Sequence, residues 1–198
     1  SLAAPRGIAY GHGKTFIGLN DAGQIAVLGS NDSLLYLIGK KGTFPNPVDV
    51  VCDTARNRIL IVDNNRHNVF VYSETGDSLM VLGKRGEDPG EFNYPQAAAI
   101  DSAGNIYVCD AFNFRIEVFD VNGKYQRSFG RQGNVFGMFE RMKGIALDTH
   151  GNIYVLDALH QNFQIFNNEG KMLLPVGQLS EENNGLQNPV SIYINPHD

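Results

Sequence analysis

Shifted by 47 residues, the 198-residue chain falls onto itself. Phe92 meets Phe139, Asp101 meets Asp148, and Gly104-Asn105 meets Gly151-Asn152. Asp110 meets Asp157, Gly123 meets Gly170 and Gly130 meets Gly177. Backwards, the same shift lays Asp110, Gly123 and Gly130 on Asp63, Gly76 and Gly83, and forwards it carries Met142 onto Pro189. Self-similarity at one period is the signature of a repeat protein, in which a single supersecondary unit is built again and again.

Each period reads as four short strands. In the third, residues 96–100 form a small-residue apolar strand, and Asp101-Ser102-Ala103-Gly104 supplies a turn. A strand follows over 105–109, a loop over 110–114, and a half-buried strand over 115–119, where Arg-Ile-Glu-Val-Phe alternates. Val121-Asn122-Gly123 turns the chain again into a fourth strand over 124–129. Four antiparallel strands in about 45 residues make the blade of a β-propeller, and no stretch of helical period competes. The first strands are poor in bulk (Ala97-Ala98-Ala99, Gly144-Ile145-Ala146), as the crowded strand nearest a propeller axis requires. The expected fold is all-β, with repeats at about 5–43, 44–91, 92–138 and 139–186 and the start of a fifth at 187–198.

The run from Pro95 through Ala99-Ile100-Asp101-Ser102-Ala103-Gly104-Asn105-Ile106-Tyr107-Val108-Cys109-Asp110 to Asn113-Phe114-Arg115-Ile116-Glu117-Val118-Phe119 resembles an NHL repeat nearly end to end. The fourth repeat matches through Gly144-Ile145-Ala146-Leu147-Asp148 and Gly151-Asn152-Ile153-Tyr154-Val155-Leu156-Asp157, and the second keeps Pro47, Asp53, Asn57 and Asp63. The first diverges, with Gly11-His12-Gly13 in place of the Asp turn. The resemblance extends to six-bladed propeller proteins found in bacteria alongside exported and electron-transfer proteins. It implies a bacterial, extracytoplasmic setting, periplasmic or secreted.

Such propellers usually close with six blades, whereas this sequence supplies four and one further strand, expected over 190–195. The chain is then a fragment, or self-association or a second chain completes the ring; a four-bladed closure is the remaining arrangement. Ser1 is not a Met and no signal peptide precedes it, which points to a processed, engineered or truncated product.

Composition limits the function. The formal net charge is −5, and the longest basic cluster is the pair Lys40-Lys41, so counterion release from a nucleic acid has little to act through. No apolar run reaches the ~18 residues of a membrane-spanning helix. Cys52 and Cys109 sit in apolar runs and read as buried free thiols, with a disulfide between neighbouring blades as the sharper alternative.

Catalytic signals are weak. Asp53, Asp101 and Asp148, with Asp63, Asp110 and Asp157, recur at strand ends before turns, where a carboxylate accepts backbone N–H bonds. Arg115 is expected to return to Asp110 as part of the scaffold. The resemblance also brings in amidating-lyase-like propellers, which need metal-binding histidines, and lactonase-like ones, which need a Glu/Asn/Asp set. Asp49, Gln96, Lys143 and Ser191 at the inner-strand starts are not such a set, and His67 and His160 sit one register apart, two blades distant. No catalytic residue, metal site or cofactor is therefore assigned.

The non-repeated loop residues are more informative. Loops joining second to third strands and loops joining blades share one propeller face. Six of the contact residues expected there are Arg66, His67, Phe112, Phe114, Arg131 and Phe136; His160 and Gln161 complete the set, while the connection 180–184 is polar. Phe92 and Phe139 recur and read as core pegs. Aromatic residues beside Arg and Asn on rigid loops suit recognition. The expected function is a non-enzymatic platform binding a protein or peptide; the alternative is a metal-dependent lyase-like or lactonase-like propeller with ligands partly in further blades. RNA recognition, which a propeller fold also supports, conflicts with the acidic charge.

Overall fold

The computed structural model describes residues 4–177 and 186–195. Their strands are β1 (Pro5–Gly11), β2 (Lys14–Leu19), β3 (Gln24–Leu28), β4 (Leu34–Ile38), β5 (Pro47–Asp53), β6 (Arg58–Asp63), β7 (Asn68–Ser73) and β8 (Ser78–Leu82). After these come β9 (Pro95–Ile100), β10 (Ile106–Asp110), β11 (Arg115–Phe119), β12 (Tyr125–Phe129), β13 (Met142–Leu147), β14 (Ile153–Asp157), β15 (Asn162–Phe166) and β16 (Met172–Val176). They pair in chain order into four four-stranded antiparallel sheets, one per repeat. A single 3-10 turn, Thr54–Arg56, links β5 to β6. The chain divides into two compact units, Ser1–Pro95 with the first two sheets and Gln96–Asp198 with the last two.

Period-two alternation builds each unit's core. In the first unit Phe16, Ile25, Val27 and Ile38 of one sheet meet Val50, Ile59 and Ile61 of the next, with Phe44 between them. In the second, Tyr107, Cys109, Ile116 and Val118 face Ile145, Ile153, Val155 and Phe166, and the inner strand β9 contributes only Ala97 and Ala99. Phe44, Phe92 and Phe139 are fully buried, so the expected pegs are in place and a third joins them. Two of them also anchor the connection entering their repeat, through isolated parallel bridges of Arg85 with Phe92 and of Gln132 with Phe139.

The repeated aspartates serve the turns. Asp101 accepts from Asn105 N (2.8 Å), Asn105 Nδ2 (2.7 Å) and the Tyr107 hydroxyl (3.3 Å). Asp148 repeats this with Asn152 N (2.8 Å), Asn152 Nδ2 (2.7 Å) and Tyr154 (3.2 Å). Burial works against the Asp148 charge, yet the bonds from Asn152, His150 N and Tyr154 hold its carboxyl below the ordinary range. The second repeat uses a different arrangement, in which Arg56 and Arg58 both pair with Asp53. In the divergent first repeat His12 reaches instead to the buried Glu74 of the next sheet (2.9 Å), where Lys14 also pairs at 3.5 Å.

Two expectations about this scaffold change. Residues 190–195 do not form a strand: Val190 and Tyr193 are exposed, while Ile192 and the Ser191 backbone lie against Gly144. An inner strand gains its ladder from a neighbouring strand, and among the described residues no strand pairs with this segment. Cys109 is buried but Cys52 only half-buried, and both are free thiols, so no disulfide joins them. The polar connection 180–184 and His197 lie outside the described residues.

Candidate functional site

Each second strand turns into its third through a residue in the left-handed region. These residues are Gly23 (φ 63°), His67 (φ 56°), Phe114 (φ 56°) and Gln161 (φ 52°), each immediately before β3, β7, β11 or β15. The register that lays His67 on Phe114 and Gln161 is therefore a backbone identity, and only the first repeat fills it with glycine. A type I turn closed by a left-handed residue lets a short loop re-enter an antiparallel strand. The conformation also fixes which way the side chains of these loops leave the backbone.

His67 and Arg66 belong to the first unit. Arg66 is exposed, and its backbone N–H donates to the buried Asp63 carboxylate (2.9 Å). His67 is buried, which removes it from the expected contact surface. Its Nδ1 accepts from Tyr94 N (3.1 Å), and its ring lies edge-on to Tyr94 at 4.6 Å. Burial, followed by the charge of Arg85, holds its pKa below the usual histidine value. Its role is to lock the loop rather than to present a contact.

The other six expected residues lie in the second unit, at the end of the sheets where β10 and β14 finish. Phe112 is 59% exposed and Phe136 is 51% exposed, and Arg131 is exposed as well. Phe114 is different: it is partly buried and packs on the Ala97–Phe166 core cluster, because its left-handed backbone turns the ring inward. Gln161 is half-buried, and its carbonyl accepts from Leu186 N (2.7 Å). His160 is buried between two carboxylates, with Nδ1 3.4 Å from Asp157 and Nε2 3.5 Å from Glu140. Its burial corrects it from contact to internal packing.

Buried polar groups fix this loop surface from beneath. Asp157, with no exposed surface, accepts from Glu140 N (2.7 Å), Arg141 N (3.1 Å), Leu159 N (3.0 Å) and His160 N (3.1 Å). One carboxylate thus joins two segments. The buried Gln164 amide brackets the connection, accepting from Gly137 N (2.5 Å) and donating to Met138 O (2.9 Å), directly behind Phe136. Asp110 holds the other loop through Asn113 Nδ2 (2.7 Å) and Arg115 Nε (3.0 Å), as expected for Arg115. On this frame Val135, Leu159 and Leu186 are exposed along with Phe112 and Phe136, and so are Arg131 and Arg141; Lys143 is half-buried. Neither Arg131, Arg141 nor Lys143 forms an ion pair among the described residues.

Sequence reasoning missed the opposite end of the same two sheets. A cleft of about 480 Å³ opens there between turns, lined by Asp101, Tyr107, Asp120, Gln126, Arg127 and His150 among others. The Arg127 guanidinium lies 6.0 Å from the Tyr107 ring centre and 5.7 Å from that of Phe129, and donates to Asn168 O. Both acids are occupied by their own turns, Asp120 by Asn122 N (2.9 Å), Lys124 N (3.0 Å) and Gln126 (3.2 Å). The signal was present: a shift of 47 places Arg127 on Met80 and Leu174, so it breaks an apolar register. Among the described residues no cluster of three or more His, Cys, Asp or Glu is arranged to hold a metal ion.

The sequence profile of a family described as "6-bladed beta-propeller" matches residues 44–116 and 100–174. NHL repeat-containing protein 3 of Homo sapiens is 37% identical over 92 residues, 41% of this chain and 26% of the relative. The Mus musculus protein of that name is 35% identical over 122 residues, 56% of this chain and 32% of its own. The chain thus matches only about a quarter to a third of the length of these curated relatives. Among solved structures, a streptogramin B lyase superposes with a TM-score of 0.73 at 15% identity, covering 96% of this chain and 59% of that one. A nidogen/laminin complex gives 0.71 at 18% identity, covering 88% and 64%. These two likenesses concern the fold alone. With a family profile spanning most of the repeats and relatives that share their sequence pattern, the chain belongs to the six-bladed β-propeller family and is built of NHL-type repeats.

Proposed function

We propose that the chain is a non-enzymatic binding platform that recognises a protein or peptide through the loop end of its second unit. The observation that supports this most is the exposure of Phe112 and Phe136 on loops whose backbones are tied to buried side chains. Apolar side chains held outward on a fixed frame lose little conformational entropy when a partner covers them. Aromatic residues in such positions carry a large share of binding energy in known interfaces.

The contact set is narrower than the sequence suggested. It keeps Phe112, Arg131 and Phe136, gains Val135 and Leu159, and assigns His160, Gln161 and Phe114 to support. Arg66, exposed in the first unit, is a separate contact candidate. A bacterial, extracytoplasmic setting remains part of the proposal on the sub-family resemblance, and secretion of the natural gene product is its check.

The test is a crosslinking pull-down from the native source with crosslinked residues mapped by mass spectrometry. Crosslinks to one protein, abolished when Phe112 and Phe136 are replaced by alanine in a folded variant, support the platform. A partner whose capture is indifferent to both substitutions refutes this surface.

A further inference from the structure

The loop end of the second unit combines two features that its fold does not require. One is the apolar group Phe112, Val135, Phe136 and Leu159, exposed to water. The other is a set of cations that form no ion pair among the described residues, Arg131, Arg141 and Lys143, in or beside the same connection. Among the described residues, the aspartates at this end are engaged from within. Asp157 and Asp110 are fully buried, and Glu140 faces His160 at 3.5 Å. Several cations of the scaffold are paired: Arg58 with Asp53, Arg115 with Asp110 and Glu117, and Lys14 with Glu74. In a chain of net charge −5, a surface whose described residues join exposed apolar side chains to unpaired cations runs against the average.

From this juxtaposition we infer that the surface takes an acidic peptide segment, one with bulky apolar side chains next to Asp or Glu. The inference rests on the platform reading above and adds the partner's chemistry to it. Apolar side chains of the segment cover Phe112 and Phe136, and its carboxylates meet Arg131 and Arg141. Arginine suits that role, since its planar fork of donors matches a carboxylate in two-point contact. The charges chiefly set register and rate of encounter, while the aromatic contacts hold the complex. Single-stranded RNA also combines anionic charge with rings to stack on, but it needs a longer cationic track than three side chains amid aliphatic Val135 and Leu159.

The experiment is fluorescence anisotropy on the folded chain with synthetic peptides of four compositions: apolar with Asp/Glu, apolar with Lys/Arg, apolar with Ser/Asn, and Asp/Glu with Ser/Asn. A single-stranded RNA oligonucleotide is the fifth probe. The acidic–apolar peptide is expected to bind at least about tenfold more tightly than the basic–apolar one, and to weaken as salt rises. Arg131→Glu with Arg141→Glu should invert that order, and Arg131→Gln with Arg141→Gln should level it, giving a second reading if the reversal disturbs folding. Equal binding of acidic and basic peptides, still lost on Phe112→Ala, overturns the acidic preference and leaves the platform standing. RNA binding tighter than every peptide overturns the inference. No binding by any peptide, with Phe112→Ala and Phe136→Ala inert in the native pull-down, removes the platform reading and this inference with it.

Discussion

A Cβ placed on Gly83 would lie 2.2 Å from Cδ2 of the fully buried Phe92 ring. The residue follows β8 at a φ of 75°, and the Cδ2–Cε2 edge of the ring that opens the next repeat lies against its bare backbone. The same contact recurs between Gly130 and Phe139, where the nearest ring atom, Cε2, would lie 2.5 Å away. Each repeat is therefore latched to the next connection by an aromatic ring seated on a glycine. Gly83→Ala meets both the ring and the left-handed backbone, and is expected to cost about 1–3 kcal/mol. Urea denaturation with the midpoint compared at unchanged slope is the measurement; an unshifted midpoint would mean that the ring moves aside freely.

Asp157→Asn keeps the shape of a side chain that accepts from four backbone N–H groups but removes its charge and one acceptor oxygen. Orphaning buried donors is expected to cost about 2 kcal/mol or more. The loss should be accompanied by faster amide exchange at Glu140, Arg141, Leu159 and His160. Uniform exchange with unchanged stability would show that the loops do not depend on this carboxylate.

Phe112, Phe114 and Phe136 should separate cleanly. Phe112→Ala and Phe136→Ala are expected to change stability by no more than about 0.5 kcal/mol while weakening partner binding. Phe114→Ala removes a ring packed on the core and should cost about 2 kcal/mol. Thermal unfolding of the three variants decides it, and equal losses would contradict the division between surface and support.

His67 predicts a pH dependence with a definite sign. Its folded pKa lies below the ordinary 6.5, chiefly through burial, so the unfolded chain binds more protons between the two values. Stability from this residue is then complete above 6.5 and declines as pH falls through that value toward the folded one. Denaturation midpoints measured on both sides of 6.5 should fall on acidification, and less so in His67→Gln. An identical pH slope in the variant would assign the effect elsewhere.

Burial, reinforced by the Glu74 carboxylate, pushes the Cys52 thiol up to about 12. In the folded chain an iodoacetamide reagent should therefore label Cys52 slowly although it is only half-buried, because the thiolate is the reacting form. Glu74→Gln should speed the labelling. Rapid labelling of the unaltered chain would overturn the assignment.

What sequence alone determined is the repeat and all that follows locally from it. A period of 47 with Asp at strand ends specifies four strands, their turns and the glycines between them, because each is set by side chains within a few residues of one another. The same logic placed Phe92 and Phe139 in the core, Arg115 on Asp110, and His67 in register with Phe114 and Gln161. Only the tertiary structure decided exposure. His67, Phe114 and His160 look like loop residues available for contact, yet a left-handed backbone or a pair of flanking carboxylates draws them inward. Phe112 and Phe136, no different in composition, are held outward by Asp110 and Gln164. Whether a loop side chain faces water depends on which buried polar group claims its backbone, and those partners lie up to 27 residues away, beyond the reach of local pattern.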